Sequence, residues 1–382
     1  MTEHHITDGH LVDGHAPDRD LPDGRPSDGG AADAHGEEAR GEEARAEDGH
    51  ATGRAVTIVE VARHAGVAVS TVSYVLSGKR AISADTRRRV LDSVRTLGYH
   101  PNAGARALAS KRANVIALVL PLRAGMHVPV LMRFATSVVT AARHFDHDVL
   151  LMTADEGLDG LRRAAASALV DGLVLMDVEL DDPRVPLLRR LAEPSVLIGF
   201  PADAAGVTCV DLDFAAAGAL CVAHLAERGH HEVVLLGAPA VVYERGTGFA
   251  RRTLEGFTAA LAEHGLDGTA LPCEESFEEV HATVSGLLAA RPGLSGLVVH
   301  NEAAVNHVLS SLRQLGRKVP QDLAVMAICP DDVAEPARLT SVLIPAEEVG
   351  REAVGLLMDK LAGRPVPPAT LLVPRLTVRA ST

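Results

Sequence analysis

The sequence contains no tryptophan and only 3% aromatic residues, so any hydrophobic core has to be assembled from Ala, Val and Leu. The four cysteines, Cys209, Cys221, Cys273 and Cys329, include no C-x-x-C pair. That argues against a zinc site or a disulfide framework and for buried thiols in a reducing compartment. No run of about 18 or more uncharged apolar residues occurs, as a membrane-spanning helix would need. A basic start followed by an apolar stretch, the mark of a secretion signal, is also missing. Catalytic signatures are absent too: there is no G-x-x-x-x-G-K-[ST], H-E-x-x-H or G-x-S-x-G. The G-x-G at Gly246-Thr247-Gly248 has no third glycine in register and no strand immediately before it. His300 and His307, seven apart, read as structural, and His230-His231-Glu232 as a solvated turn. The expectation is a soluble, cytoplasmic, non-enzymatic protein that needs no cofactor or metal.

What is present falls into segments of different character. The 382 residues leave room for two or three domains, and 47% hydrophobic content is enough for large cores. Residues 1–54 carry fourteen acids and five arginines in a low-complexity setting of Gly, Ala and His. Such a segment cannot bury enough apolar surface to offset its ordering entropy, so disorder is expected there. The chain as a whole has a formal charge of −13, yet residues 55–112 hold ten Lys/Arg against three Asp/Glu, a net +7. A basic stretch on an acidic protein is the electrostatic footprint of nucleic-acid binding.

Within that stretch, residues 57–78 read as two short helices with a tight bend. Thr57 and Glu60 have capping-box spacing, and Ile58, Val61, Ala62 and Ala65 recur with helical period. Gly66 ends the first helix and permits the left-handed turn of a helix-turn-helix. The second helix spans about 69–76, with Val72, Val75 and Leu76 inward. Ser70, Thr71, Ser73 and Tyr74 are left outside, where hydroxyls and an aromatic can meet phosphates and base edges. A third helix begins at Ser83, with Val90, Leu91, Val94 and Leu97 on one face.

These residues closely resemble the DNA-binding headpiece of the lactose-repressor/galactose-repressor (LacI/GalR) family. The matching positions include Thr57, Ile58, Glu60, Val61 and Ala62, then Ala65, Gly66 and Val67. They continue through Ser70, Thr71, Val72, Ser73, Val75 and Leu76 to Leu97, Gly98, Tyr99, Pro101 and Asn102, and Ala105, Arg106, Ala107 and Leu108 close the run. The resemblance implies contacts to double-stranded operator DNA from Thr57, Val69, Ser70, Thr71, Ser73, Tyr74, Ser77, Ser83, Thr86, Tyr99, Asn102, Ala105 and Leu108. It makes residues 99–112 a hinge helix that orders on DNA, with Leu108 as the lever entering the minor groove. Two positions depart from the family. Ala68 replaces the usual serine and loses a helix cap, worth roughly 0.5–2 kcal/mol. Tyr74 stands where many members have arginine and cannot read guanine bidentately, so operator preference does not transfer.

From Val115 onwards, apolar runs of strand length alternate with helical stretches: 115–121, 149–152, 172–176, 196–199 and 207–213, then 233–237, 297–299 and 323–328. This alternation predicts parallel open sheets. Two successive sets of about 90–100 residues make a two-lobed core over 113–382. The resemblance extends to this core, which in the family looks like a periplasmic sugar-binding protein that dimerises and binds a small effector between its lobes. It carries effector contacts onto Arg251, Arg252, Asn301, Glu302 and Asp331. The family's sugar-contacting arginine is replaced by Thr253, and Cys329 stands where a carboxylate is common.

The fold expected is therefore an all-α helix-turn-helix headpiece (55–98), a hinge (99–112) and an α/β two-lobed, periplasmic-binding-protein-like core (113–382), preceded by the acidic tail (1–54). The function expected is a homodimeric repressor whose operator affinity is set by a small effector, with a sugar among the candidates. Two alternatives stay open: a small-molecule-binding module without a DNA role, and a regulator that no longer responds to an effector.

Overall fold

The computed structural model describes residues 56–77, 80–99, 112–120, 122–123, 127–153, 157–167 and 169–382. The expectations for the tail, and for Asn102, Ala105 and Leu108 in the hinge, lie outside the described residues.

Three helices come first: α1 (Ile58–Ala65), α2 (Val69–Ser77) and α3 (Ala84–Leu97). The capping box at the start of α1 is formed. The Thr57 N–H donates to Glu60 Oε2 (2.6 Å) and the Glu60 N–H to Thr57 Oγ1 (3.4 Å). Gly66 takes the left-handed conformation, φ 64°, that lets the chain turn into α2. Val61, Ala62, Ala65, Val72, Val75, Val90 and Tyr99 form one buried cluster, with Ile58, Val67, Leu76, Val94 and Leu97 packed on it. His64 Nδ1 lies 3.0 Å from Ser93 Oγ, whose hydroxyl donates to the Arg89 carbonyl (2.8 Å), so α1 is latched to α3.

The rest of the chain builds two six-stranded sheets. In order come β1 (Val115–Val119), α4 (Val128–Arg143), β2 (Asp148–Met152), α5 (Gly157–Ala166), β3 (Gly172–Leu175), α6 (Val185–Leu188), β4 (Ser195–Ile198) and β5 (Cys209–Leu212). The chain then enters the second sheet through α7 (Phe214–Glu227), β6 (Glu232–Gly237), α8 (Ala240–Glu244), α9 (Gly248–His264), β7 (Asp267–Pro272) and α10 (Phe277–Ala290). It continues through β8 (Gly296–Val299), α11 (Val305–Gln314), β9 (Ala324–Cys329), α12 (Asp331–Ala334) and β10 (Thr340–Leu343). Last are α13 (Ala346–Leu361), β11 (Ala369–Leu372) and β12 (Leu376–Thr377).

The first sheet has the order β11-β5-β4-β3-β1-β2, all parallel, and the second β12-β10-β9-β8-β6-β7, parallel except for β12. Strands β3, β4, β5, β8 and β9 are buried along their whole length. Layers on both faces explain why these strands are almost wholly apolar, Asp211 of β5 being the one charged exception. The chain passes between lobes three times, after β5, after β10 and after β11. Helix α13 belongs to the first lobe: Ser137 Oγ on α4 donates to the Glu347 carbonyl (2.7 Å), and Lys360 Nζ donates to the Ser195 carbonyl (2.8 Å) and to Thr208 Oγ1 (3.0 Å). The sequence alone left α13 and β11 unassigned to either sheet.

In the second lobe α7 and α9 pack backbone to backbone. A Cβ at Gly256 would sit 1.9 Å from the Ala215 carbonyl oxygen, and one at Gly218 2.4 Å from the Thr253 oxygen. No other residue fits that crossing unless the helices separate. Thr253 is fully buried there, its hydroxyl bonded to the Phe249 carbonyl (2.9 Å). The four cysteines are buried and free, and burial pushes the thiols up, Cys209 to about 12 and Cys273 to about 11.

Candidate functional site

The outward face of α2 follows from its inward one. Val72 and Val75 are buried, which leaves Val69, Ser70, Ser73 and Tyr74 exposed and Thr71 half-buried. The Arg80 guanidinium lies over the Tyr74 ring, 5.9 Å from its centre, a cation–π distance that puts a positive charge beside the exposed aromatic. Ser83 caps α3 by accepting the Thr86 N–H (3.2 Å), and its hydroxyl donates to Thr86 Oγ1 (2.9 Å). Thr57 is occupied with Glu60, donating its hydroxyl to Glu60 Oε2 at 2.9 Å. Tyr99 departs from the expectation of an outward contact. At 8% exposure its ring is part of the buried cluster, because Gly98 turns the chain back over α3. Ser77 ends α2 on the chain leading to Arg80.

The second site lies between the two lobes, where the carboxyl ends of both sheets meet. A cavity of about 120 Å³ is lined from the first lobe by Asp177 and Asp211, from the second by Arg245, Phe249, Glu275, His300, Asn301 and Glu302, and by Phe214 at the start of α7, where the chain enters the second lobe. The rims are joined by backbone hydrogen bonds: Leu180 N–H to the Gly246 carbonyl (2.8 Å) and Gly248 N–H to the Val178 carbonyl (2.9 Å). Phe214, Phe249 and His300 form a triangle with every pair of ring centres 5.6 Å apart.

Desolvation dominates the charges here. Burial raises Asp177 above the usual carboxylate range against the pull of Arg245, Arg123 and Arg184. Burial also raises Asp211 to about 7, opposed by the Leu212 N–H and Arg252. Glu302 is raised to about 7 by burial, with the negative charge of Glu275 adding to the shift. His300 is driven down to about 4 and stays neutral, its Nδ1 buried without a hydrogen-bond partner.

Asp177 follows β3 in a left-handed backbone conformation, φ 53°, a region that Asp tolerates better than most residues. Arg184 supports it from behind. Its guanidinium grips Asp182 and donates to the carbonyls of Met176 (3.0 Å) and Asp177 (2.9 Å).

Of the five effector contacts carried over from the resemblance, the cavity lining includes Asn301 and Glu302. The other three fall outside that lining; Arg251 and Asp331 are hydrogen-bonded elsewhere, and Arg252 acts on the cavity through its charge on Asp211. Arg251 donates to the Tyr243 carbonyl (2.7 Å), and Asp331 accepts from Arg379 (2.9 Å). Arg252 lies 5.0 Å from the centre of the Phe200 ring. Even Asn301 is tied to the protein, its amide donating to the Cys273 carbonyl (2.7 Å) and its Oδ1 accepting the Ala303 N–H (3.2 Å). Sequence reasoning passed over Asp177, Arg245 and Glu275. Asp177 did carry a signal: it is the first polar residue after the apolar run 172–176, at a strand's carboxyl end. Among the described residues no helix is long and apolar enough to cross a membrane.

A three-helix headpiece carrying an outward hydroxyl-rich helix, joined to a two-lobed core with a polar cleft, defines the class of ligand-controlled DNA-binding regulators. Comparison with known proteins agrees. Residues 57–102 match the model of bacterial regulatory proteins of the lacI family, and residues 222–382 match the periplasmic binding protein-like domain. The HTH-type transcriptional regulator CelR of Thermobifida fusca is 31% identical over 84% of this chain and 96% of its own length. Catabolite control protein A of Priestia megaterium is 26% identical over 86% and 99%. Among solved structures, the transcriptional regulator CelR-cellobiose complex aligns with TM-score 0.60 at 28% identity over 86% of this chain and all of that one. The Lac repressor dimer bound to operator and the anti-inducer ONPF aligns with TM-score 0.73 at 20% identity over 86% and 99%. The chain belongs to the LacI family and is a DNA-binding transcriptional regulator.

Proposed function

We propose that this regulator is a cytoplasmic, homodimeric, non-enzymatic repressor that releases its operator when a small polyhydroxylated effector enters the cleft. The observation that carries the reading is the cleft's lining. Carboxylates that accept hydroxyl hydrogen bonds stand beside Phe214 and Phe249, whose faces can cover the apolar side of a sugar ring. A cavity of about 120 Å³ has room for roughly ten waters at about 10–15 Å³ each by this measure, the scale of a compact sugar unit. That the CelR relative is solved with cellobiose agrees with a saccharide. Within the cleft we assign direct contacts to Asn301 and Glu302 together with Asp177, Asp211 and Arg245. Arg251, Arg252 and Asp331 are assigned to supporting it.

DNA contacts are assigned to Val69, Ser70, Thr71, Ser73, Tyr74 and Ser77 on α2, with Thr57, Ser83 and Thr86 at helix starts. In the hinge they are assigned to Asn102, Ala105 and Leu108, and Tyr99 serves mainly to pack the headpiece. The domain division proposed is tail 1–54, headpiece 55–98, hinge 99–112 and core 113–382. Dimerisation is supported by apolar side chains left exposed on α4, on the turn that follows it and on the edge strand β2, among them Met132, Phe145 and Leu151 at 46%, 46% and 51%.

Binding-site selection on genomic DNA with the purified protein, followed by gel-shift release with saccharides, tests the reading. Pseudo-palindromic sites and release by a saccharide are expected. Sites without two-fold character would overturn the dimer, and a cleft variant released at the wild-type concentration would overturn the placement of the effector.

A further inference from the structure

The cleft's negative charges are unevenly compensated. At one end Asp177 lies 3.6 Å from the Arg123 guanidinium, with Arg184 and Arg245 adding positive field, and Asp211 is opposed by Arg252. At the other end Glu275 and Glu302 line the same cavity and act on each other as like charges. The nearby cations are engaged elsewhere, Arg379 with Asp331 and Arg133 with Asp332 and Glu347. The basic group that faces Glu275 is His127, whose proton affinity burial lowers against the pull of Glu275 and Asp332.

A second observation points to a ligand in the same space. The ring of His300 is 2% exposed, lines the cavity and leaves Nδ1 without a partner, and the Nδ1 of His127 is likewise unpartnered. Buried polar atoms are ordinarily bonded, so these mark positions that a ligand's polar groups complete.

Resting on the reading of this cleft as the effector site, we infer that the effector carries a protonated amine, as an amino sugar does, and that its ammonium sits between Glu275 and Glu302. An ammonium has three donors and no acceptor, which suits two carboxylates that otherwise repel. Charge-assisted bonds of this kind are about twice as strong as neutral ones. A neutral hydroxyl in the same place leaves the repulsion uncompensated. An acidic or phosphorylated sugar would add a negative charge beside four carboxylates. His300, neutral at its pKa of about 4, is left to bond a ring hydroxyl.

The test is calorimetric titration of the full-length protein with matched pairs: D-glucosamine against D-glucose, D-galactosamine against D-galactose, and the chitosan disaccharide against cellobiose. At pH 7 the amine of at least one pair is expected to bind ten-fold or more tightly than its neutral partner. Its binding should release protons, because the cation lowers the pKa of Glu302. The advantage should shrink at pH 6, where Glu302 is protonated more of the time, and disappear in the Glu275→Gln/Glu302→Gln double variant, with the single variants intermediate. Thermal unfolding of each variant checks that it is folded. Equal affinity within every pair, or an amine preference that survives the double substitution, overturns the inference and leaves the effector cleft standing. If no saccharide binds a protein that still binds its operator, the saccharide reading falls and the inference with it.

Discussion

Arg184 holds Asp182 with two parallel hydrogen bonds, Nε to Oδ1 at 2.9 Å and Nη2 to Oδ2 at 2.7 Å, in a pair that is almost wholly buried. Burial alone would raise the Asp182 pKa, but the bonds from Arg184 outweigh it and hold the carboxyl below its ordinary value. The same guanidinium reaches the carbonyls of Met176 and Asp177. One arginine therefore sets the backbone that presents a cleft carboxylate.

Arg184→Met should accordingly cost about 3–5 kcal/mol, the penalty for stranding a buried charge. Urea unfolding at pH 7 reads it. Because the folded-state pKa of Asp182 is depressed, its stabilisation is present above the unfolded value near 3.8 and is lost as pH falls through the folded one. The wild-type advantage over the variant should narrow as pH falls, beginning above about pH 4, because without Arg184 burial raises the Asp182 pKa and the stranded carboxyl takes up a proton. A loss under about 1 kcal/mol, within the range of exposed pairs, would show that the pair is solvated in solution.

Glu302 and Asp211 give the opposite pH dependence. Their folded pKa values of about 7 lie above the ordinary carboxylate range. Between roughly pH 4 and 7 the native state binds more protons than the unfolded one, so stability declines as pH rises. Without effector, these two carboxylates favour a higher melting temperature at pH 5.5 than at pH 8, opposed by His300, whose depressed pKa makes the unfolded state bind more protons below about pH 6.5. Glu302→Gln should flatten the slope and stabilise the protein at pH 8. A variant with the wild-type slope would show that Glu302 titrates normally.

Gly256→Ala pits helix propensity against packing. Alanine in a helix interior gains about 1 kcal/mol over glycine, but here the new methyl meets the Ala215 carbonyl oxygen at 1.9 Å. Overpacking costs about 1–3 kcal/mol or more, and the clash wins because backbone cannot rotate away. The urea midpoint should fall. An unchanged midpoint would mean that α7 and α9 separate without penalty.

Asn301→Ala should destabilise the protein itself. Its amide bridges the Cys273 carbonyl and the Ala303 N–H, and stranding such partners costs about 1–3 kcal/mol. A lower melting temperature in the absence of any ligand is expected, together with weaker effector release. Unaltered stability would mean that the amide is free to serve the ligand alone.

The salt dependence of operator binding reads the headpiece. With two headpieces per dimer and about 6–10 phosphate contacts, log affinity should fall against log salt with a slope near −5 to −9. Leu108→Ala should weaken operator binding while sparing random DNA, since the bend is made only at the operator. A slope near zero, or equal losses on both DNAs, would remove the headpiece or the lever from the interface.

The sequence by itself determined the local elements. Capping at Thr57 and Ser83, the left-handed turn at Gly66 and the alternation of apolar runs with helices depend on neighbours within a few residues. The headpiece and most strands of the core were therefore legible from these cues. So was the general location of the cleft, because strands of an open parallel sheet end where ligands bind. Tertiary structure decided which side chains share that cleft. Arg251 and Asp331 stand at plausible sequence positions, yet each found a nearer partner, in the Tyr243 carbonyl and in Arg379. Asp177 and Glu302 come from different lobes and meet only because the chain crosses between the sheets three times. Which sheet α13 and β11 join, and whether Tyr99 points outward or inward, were likewise settled by packing. Periodicity says which face of an element is apolar; only the finished core says what that face, and the polar one behind it, will touch.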